Sequence, residues 1–188
     1  MALTSLLVPT YRQMLGSLSA WLDKAQAQRQ APDADALLSA RLAPDMFPLA
    51  TQIRFACVQA WEGAYRLRGR DFPPIVQAML DEGRAAGERP GTMAAAQGRI
   101  ADTLAMLDGL AADALDMDTD APIAHDLPNG MIFDLTAQGY ARDWTLPQFY
   151  FHIMTAYALL RSTGVPLGKG DYVAHLLPSL RAGTMPGH

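Results

Sequence analysis

The feature that most constrains this chain is the run Thr145–Gly164, TLPQFYFHIMTAYALLRSTG, which carries no charged side chain before Arg161. A helix that is apolar on nearly every side belongs inside a bundle, where each polar group must find a partner. The run contains several such groups: Gln148, Tyr150, His152, Thr155 and Tyr157. Its punctuation is helical, with Thr145 in N-cap position, Pro147 in the first turn, Arg161 in the last and Gly164 as a left-handed stop. Phe149, Ile153, Ala156 and Leu160 share one face, and His152 and Thr155 share an adjacent edge. His152 is therefore the residue that most needs a partner.

A chain of 188 residues, half of them hydrophobic, can bury a core in a single domain spanning 1–188 without a metal or disulfide staple. Alanine, leucine and methionine are frequent and β-branched residues sparse, so the expected architecture is all-α. A net charge of −4 supplies no basic field for nucleic acid or anionic lipid, and neither partner is expected. Cys57 is the single cysteine, which excludes an internal disulfide and fits a reducing, cytoplasmic setting. The opening MALTSLLVPTYRQ has no basic n-region and reads as an amphipathic helix rather than a signal peptide. The uncharged stretch Trp144–Leu160 is short and polar for a membrane span, so it reads as a core helix.

Taken in order, Leu7, Tyr11, Met14, Leu15, Leu18, Trp21, Leu22 and Ala25 predict one amphipathic helix over Leu3–Gln28. A break at Ala31, Pro32 and Asp33 leads to a short piece over Ala34–Arg41. Asp45 is placed to cap a second long helix from Met46 to about Leu67, nearly free of charge apart from Arg54 before Glu62 is reached. Gln52 and Gln59 lie seven residues apart on one face of it. The segment after GRDFPP predicts at most a short helix. Thr92 caps a third long helix from Met93 to about Leu115, with Ile100, Leu104, Leu107 and Leu110 inward. Ile123–His125 and Met131–Leu135, joined by a Leu127–Gly130 turn, predict a small β-hairpin before the central helix. VPLGKGDY is a glycine-rich turn, and Tyr172–Leu180 a last short helix.

Three segments, YRQMLGSLSAWLDKA (Tyr11–Ala25), ARLAPDMFPLATQI (Ala40–Ile53) and FYFHIMTAYALLRSTGVPLGKGDY (Phe149–Tyr172), resemble the bacterial domain-of-unknown-function family nineteen ninety-three, within the DinB/YfiT-like superfamily. The resemblance covers nearly the whole chain. It implies a four-helix bundle in up-down-down-up order with long crossovers, and commonly a homodimer. Metal-binding members of the superfamily hold a divalent ion with one histidine on the second helix and two on the fourth, and some transfer small thiols. This chain departs from that pattern. Its second helix offers Gln52 and Gln59 instead of histidine, and one turn after His152 stands Ala156. His125, His175 and His188 lie in the hairpin, the tail helix and the terminus.

Two functional readings follow. In the first, the bundle binds a small ligand in a pocket near His152, Gln52 and Gln59, bordered by Tyr150, Tyr157 and Asp45, with no assigned reaction and no cofactor. In the alternative, it is a degenerate DinB-like metal-dependent enzyme of the thiol-transferring kind, using His152 and a zinc or nickel ion. Purely structural roles stand beside both: His152 as a hydrogen-bonded core histidine, the glutamines as ties between helices, the tyrosines as core aromatics. Asp45 reads as a helix cap that could also pair with Arg41. Cys57 reads as a small apolar filler.

Overall fold

The computed structural model describes residues 2–29 and 33–184. Its long helices are α1 (Leu3–Gln28), α3 (Leu49–Arg66), α5 (Met93–Asp108) and α7 (Leu146–Ser162). Shorter ones are α2 (Asp33–Ala36), α4 (Pro74–Ala85), α6 (Ala137–Gly139) and α8 (Lys169–Tyr172). Strands β1 (Pro122–Asp126) and β2 (Ile132–Thr136) form an antiparallel hairpin in which Ile123 faces Leu135 and His125 faces Phe133. The break expected at Ala31 and Pro32, and His188, lie outside the described residues.

Cross-helix pairs fix the directions. On α1 and α7, Tyr11 meets Phe149 and Trp21 meets Tyr157, so these two run parallel. Gln97 bonds Ser19 while Asp108 pairs with Arg12, so α5 runs against α1. Gln52 meets His152 near one end of α3 and Gly63 approaches Thr145 near the other, so α3 runs against α7. This is the up-down-down-up bundle, with α3 and α7 packed against each other as their missing charges demand. Phe149, Ile153, Ala156 and Leu160 are all fully buried. Among the described residues no helix is long and apolar enough to cross a membrane.

Several boundaries differ from expectation. The second long helix starts at Leu49, not Met46, because Pro48 disfavours helical backbone at Phe47 and itself takes the N-cap position. Asp45 is thus not its cap; it sits exposed in the preceding turn, and Arg41 donates to the Met46 carbonyl instead. Thr92 does cap α5, accepting from the Ala95 amide at 3.1 Å, but that helix ends at Asp108, before Gly109. Thr145 is not a cap either, since the chain is already helical before it. Thr136 starts the helical path, accepting from the Gly139 amide, and Tyr140–Thr145 forms a π-helical turn leading into α7. Pro147, which has no N–H to donate, interrupts the α-helical ladder just past that turn, where a wider turn is tolerated. Gly164, at φ 90°, ends α7 as expected.

Gly63 sets how closely α3 approaches α1 and the turn that leads into α7. A Cβ there would lie 2.6 Å from the Tyr11 hydroxyl and 2.9 Å from Thr145 Cγ2, and both side chains are fully buried. Gly63→Ala is therefore expected to destabilise the protein by about 1–3 kcal/mol, as overpacking does. Gly16, also helical but facing open space, is the control: Gly16→Ala should stabilise by about 0.5–1 kcal/mol through helix propensity. Urea denaturation midpoints for the two variants should move in opposite directions.

Candidate functional site

His152 and Gln52 do meet. The His152 Nδ1 and Gln52 Oε1 are 2.8 Å apart, both side chains are buried, and Gln52 Nε2 donates to the Phe47 carbonyl at 3.3 Å. With the amide oriented that way, Nδ1 carries the proton and donates, leaving the Nε2 lone pair unshared among the described residues. Phe55 and Phe151 each stand edge-on to the imidazole at 5.4 Å. Burial in this apolar frame pushes the His152 pKa down to about 4, so the ring is neutral at physiological pH.

The other expected members stand elsewhere. Tyr157 packs on Trp21 and Tyr172, on the α1 side of α7, and Tyr150 packs on Phe149. Asp45 is exposed in its turn. Gln59, two turns along α3 from Gln52, lines a separate cleft between α3, α4 and the hairpin.

That cleft has a volume of about 350 Å³ and is lined by Gln59, Glu62, Arg66, Arg84, His125 and Trp144, with Phe72, Leu80 and the hairpin turn around its mouth. A larger depression of about 620 Å³ lies at the turn after α3, but it is walled by loop residues and holds none of the groups described next.

Behind the cleft, buried polar atoms gather in one place: both ring nitrogens of His125, Trp144 Nε1 and Arg66 Nε have no hydrogen-bond partner among the described residues, and the hydroxyls of Tyr140, Thr145 and Tyr11 stand with them. Their proximity is direct. The His125 ring is 4.2 Å from that of Trp144 and 5.4 Å from that of Tyr140, and the Arg66 guanidinium lies 6.0 Å from the Tyr140 ring. The Thr145 hydroxyl stands within hydrogen-bonding reach of both phenols, and the Tyr140 hydroxyl within reach of Arg66, so these groups have one another as partners. These groups come from α1, α3, the hairpin and the π-helical turn, and the turn supplies three of them. An inserted π turn rotates side chains that a regular helix would have placed elsewhere, and such turns recur at functional sites.

The electrostatics match this burial. Desolvation raises the Glu62 carboxyl to about 7 against the lowering influence of Arg66 and Arg84, and no hydrogen bond or ion pair holds it among the described residues. Desolvation likewise lifts Tyr140 to about 12 and Tyr11 well above the usual phenol. His125 is pushed below the ordinary histidine by burial first and Arg66 second, which leaves it a neutral ring with one donor and one acceptor unmet. Arg66 itself is engaged, donating to the Ala124 carbonyl at 2.9 Å and to Asp126 at 3.3 Å.

Sequence reasoning placed His125 correctly in the hairpin and noticed Glu62 only as the end of a charge-free run. A carboxylate on the cleft side of an otherwise apolar helix was the available signal. Cys57 is fully buried, with its thiol raised to about 12 by desolvation, and behaves as the apolar filler expected.

The donor set does not fit a three-histidine metal site. Among the described residues no three His, Cys, Asp or Glu side chains converge on one point, and α7 presents Ala156 one turn beyond His152.

Residues 3–173 match the family described as Domain of unknown function (DUF1993). The chain belongs to the DUF1993 family. It is also similar to the crystal structure of a DinB family member protein from Shewanella denitrificans, at 33% identity over 99% of this chain and 94% of that one, with a TM-score of 0.71. No curated protein matches the chain. The DUF1993 fold thus sits within the DinB-like bundles, as the three resembling segments implied.

Proposed function

We propose that this DUF1993 protein binds a small polar ligand in the cleft beside Glu62 and His125, with no metal ion and no covalent reaction assigned. The observation that carries the reading is that His125 and Trp144 bring three buried polar atoms, both imidazole nitrogens and the indole N–H, without partners among the described residues to the wall of that cleft. A buried polar group without a partner costs about 1–3 kcal/mol, so a fold that collects several at the wall of an open cleft is supplying groups for something to satisfy. His152 and Gln52 satisfy each other and so act as a tie between α3 and α7. The alternative, a metal-dependent thiol transferase, lacks a donor set among the described residues.

Two measurements test this. Protein purified without a histidine tag or chelator should contain no stoichiometric divalent metal by elemental analysis; one equivalent would favour the alternative. In a fragment screen read by amide and indole NMR resonances, hits should perturb Gln59 and Trp144 and leave Gln52 unmoved. Hits confined to His152 and Gln52, or none at the cleft, would remove the reading.

A further inference from the structure

The charges around the cleft narrow the kind of ligand. Four charged groups line it: Glu62, Arg66, Arg84 and Asp126. Two of them neutralise each other, since Arg66 is bound to Asp126 and to the hairpin backbone. That leaves Glu62, with no partner, and Arg84, whose one ion pair is a long 3.5 Å contact to exposed Asp81, both among the described residues. Glu62 lines the cleft from α3 and Arg84 from α4, close enough for the guanidinium to act on the carboxyl.

A ligand carrying one sign of charge answers only half of this arrangement. A simple anion reaching Arg84 would bring its charge against the Glu62 carboxylate, and a simple cation reaching Glu62 would meet Arg84 and Arg66. Either would desolvate one charge without pairing it, which is the costly outcome. A molecule with both signs a few ångströms apart pairs both. Trp144, Phe72, Leu80 and Leu127 add an aromatic and apolar part to the lining that suits an uncharged side chain. The volume of about 350 Å³ is in the range of a small-molecule site.

We infer that the cleft takes a zwitterion of amino-acid type, its ammonium at Glu62, its carboxylate at Arg84 and an apolar or aromatic side chain against Trp144 and Phe72. This assignment rests on the ligand-binding reading above and adds the chemical class. His125 and Gln59 complete the wall with neutral hydrogen-bonding groups, and the ammonium holds Glu62 in its ionised form once bound.

Titration calorimetry on the full chain with L-phenylalanine, phenylacetate and phenethylamine tests it, because each analogue lacks one of the two charges. L-Phenylalanine should bind, and each analogue should bind roughly tenfold or more weakly, the factor for one lost charged contact. Glu62→Gln should weaken L-phenylalanine by a similar factor while phenylacetate, relieved of the opposing carboxylate, binds no more weakly than before, and Arg84→Gln should weaken L-phenylalanine while phenethylamine binds no more weakly than before. Glu62→Gln removes a desolvated charge and Arg84 is half exposed, so both variants are expected to fold. An analogue binding as tightly as L-phenylalanine would overturn the zwitterion while leaving a ligand site in place. Failure of L-phenylalanine to bind, or binding indifferent to both substitutions, would overturn the assignment, and the fragment screen then judges the cleft on its own.

Discussion

Replacing Glu62 with glutamine is expected to raise the stability of the folded chain at pH 8, by up to about 3 kcal/mol relative to the same comparison at pH 4. The folded carboxyl titrates near 7 where the ordinary group titrates at 4.5. Between those values the unfolded chain has released its proton and the folded chain still holds it, so stability falls as pH rises. The penalty is absent below about 4.5 and complete above about 7. The groups that face Glu62 are Arg66 on its own helix, Arg84 on α4, Asp126 on the hairpin and Tyr140 from the π-helical turn. Burial outweighs the two arginines. Denaturant unfolding of both proteins from pH 4 to pH 8 gives the difference curve, which should rise through this window. A flat curve would mean that water reaches the carboxyl freely.

His152→Gln should produce a difference curve of the opposite slope. Here the folded pKa lies near 4 and the ordinary value at 6.5, so on acidification the unfolded chain takes up a proton that the folded chain refuses. That penalty is absent above about 6.5 and complete below about 4, worth about 3 kcal/mol. Relative to the parent, the variant should gain by that order as pH falls from 7 to 4. Glutamine retains a donor for the Gln52 carbonyl oxygen, so the cost at pH 7 should stay within about 1–3 kcal/mol. In the parent chain the two groups work against each other between about pH 4.5 and 6.5, and each substitution uncovers the slope of the other. A His152→Gln curve without slope would place the imidazole in contact with bulk water.

The bundle was legible because its evidence is periodic. α1 runs over the residues its apolar spacing marks, Thr92 caps α5, and the hairpin pairs where alternation and the Asn129–Gly130 turn put it. The pairing of His152 with Gln52 was legible for a related reason: two nearly uncharged helices must pack on each other, and their few polar groups must meet. The cleft was not legible. Its groups come from the second long helix, α4, the hairpin and the turn before α7, and spacing along one helix carries no information about which residues of another will face it. Gln52 and Gln59 share a helix face, yet the hairpin covers only the Gln59 end. The π-helical turn left no trace either, since YARDWT has the composition of an ordinary helix and only the packing around Tyr140 and Thr145 selects the wider turn.

That wider turn makes the whole arrangement depend on a count of residues rather than on their identities. Losing a single residue within Tyr140–Thr145 would let the backbone relax to regular α-helix, which spends fewer residues on the same rotation, so the flanking segments would keep their places while the side chains of the turn itself were redistributed. A regular turn could no longer hold Tyr140, Trp144 and Thr145 all on the inner side. Relatives that keep every side chain named above but differ by one insertion or deletion there would share the bundle and lack the cleft.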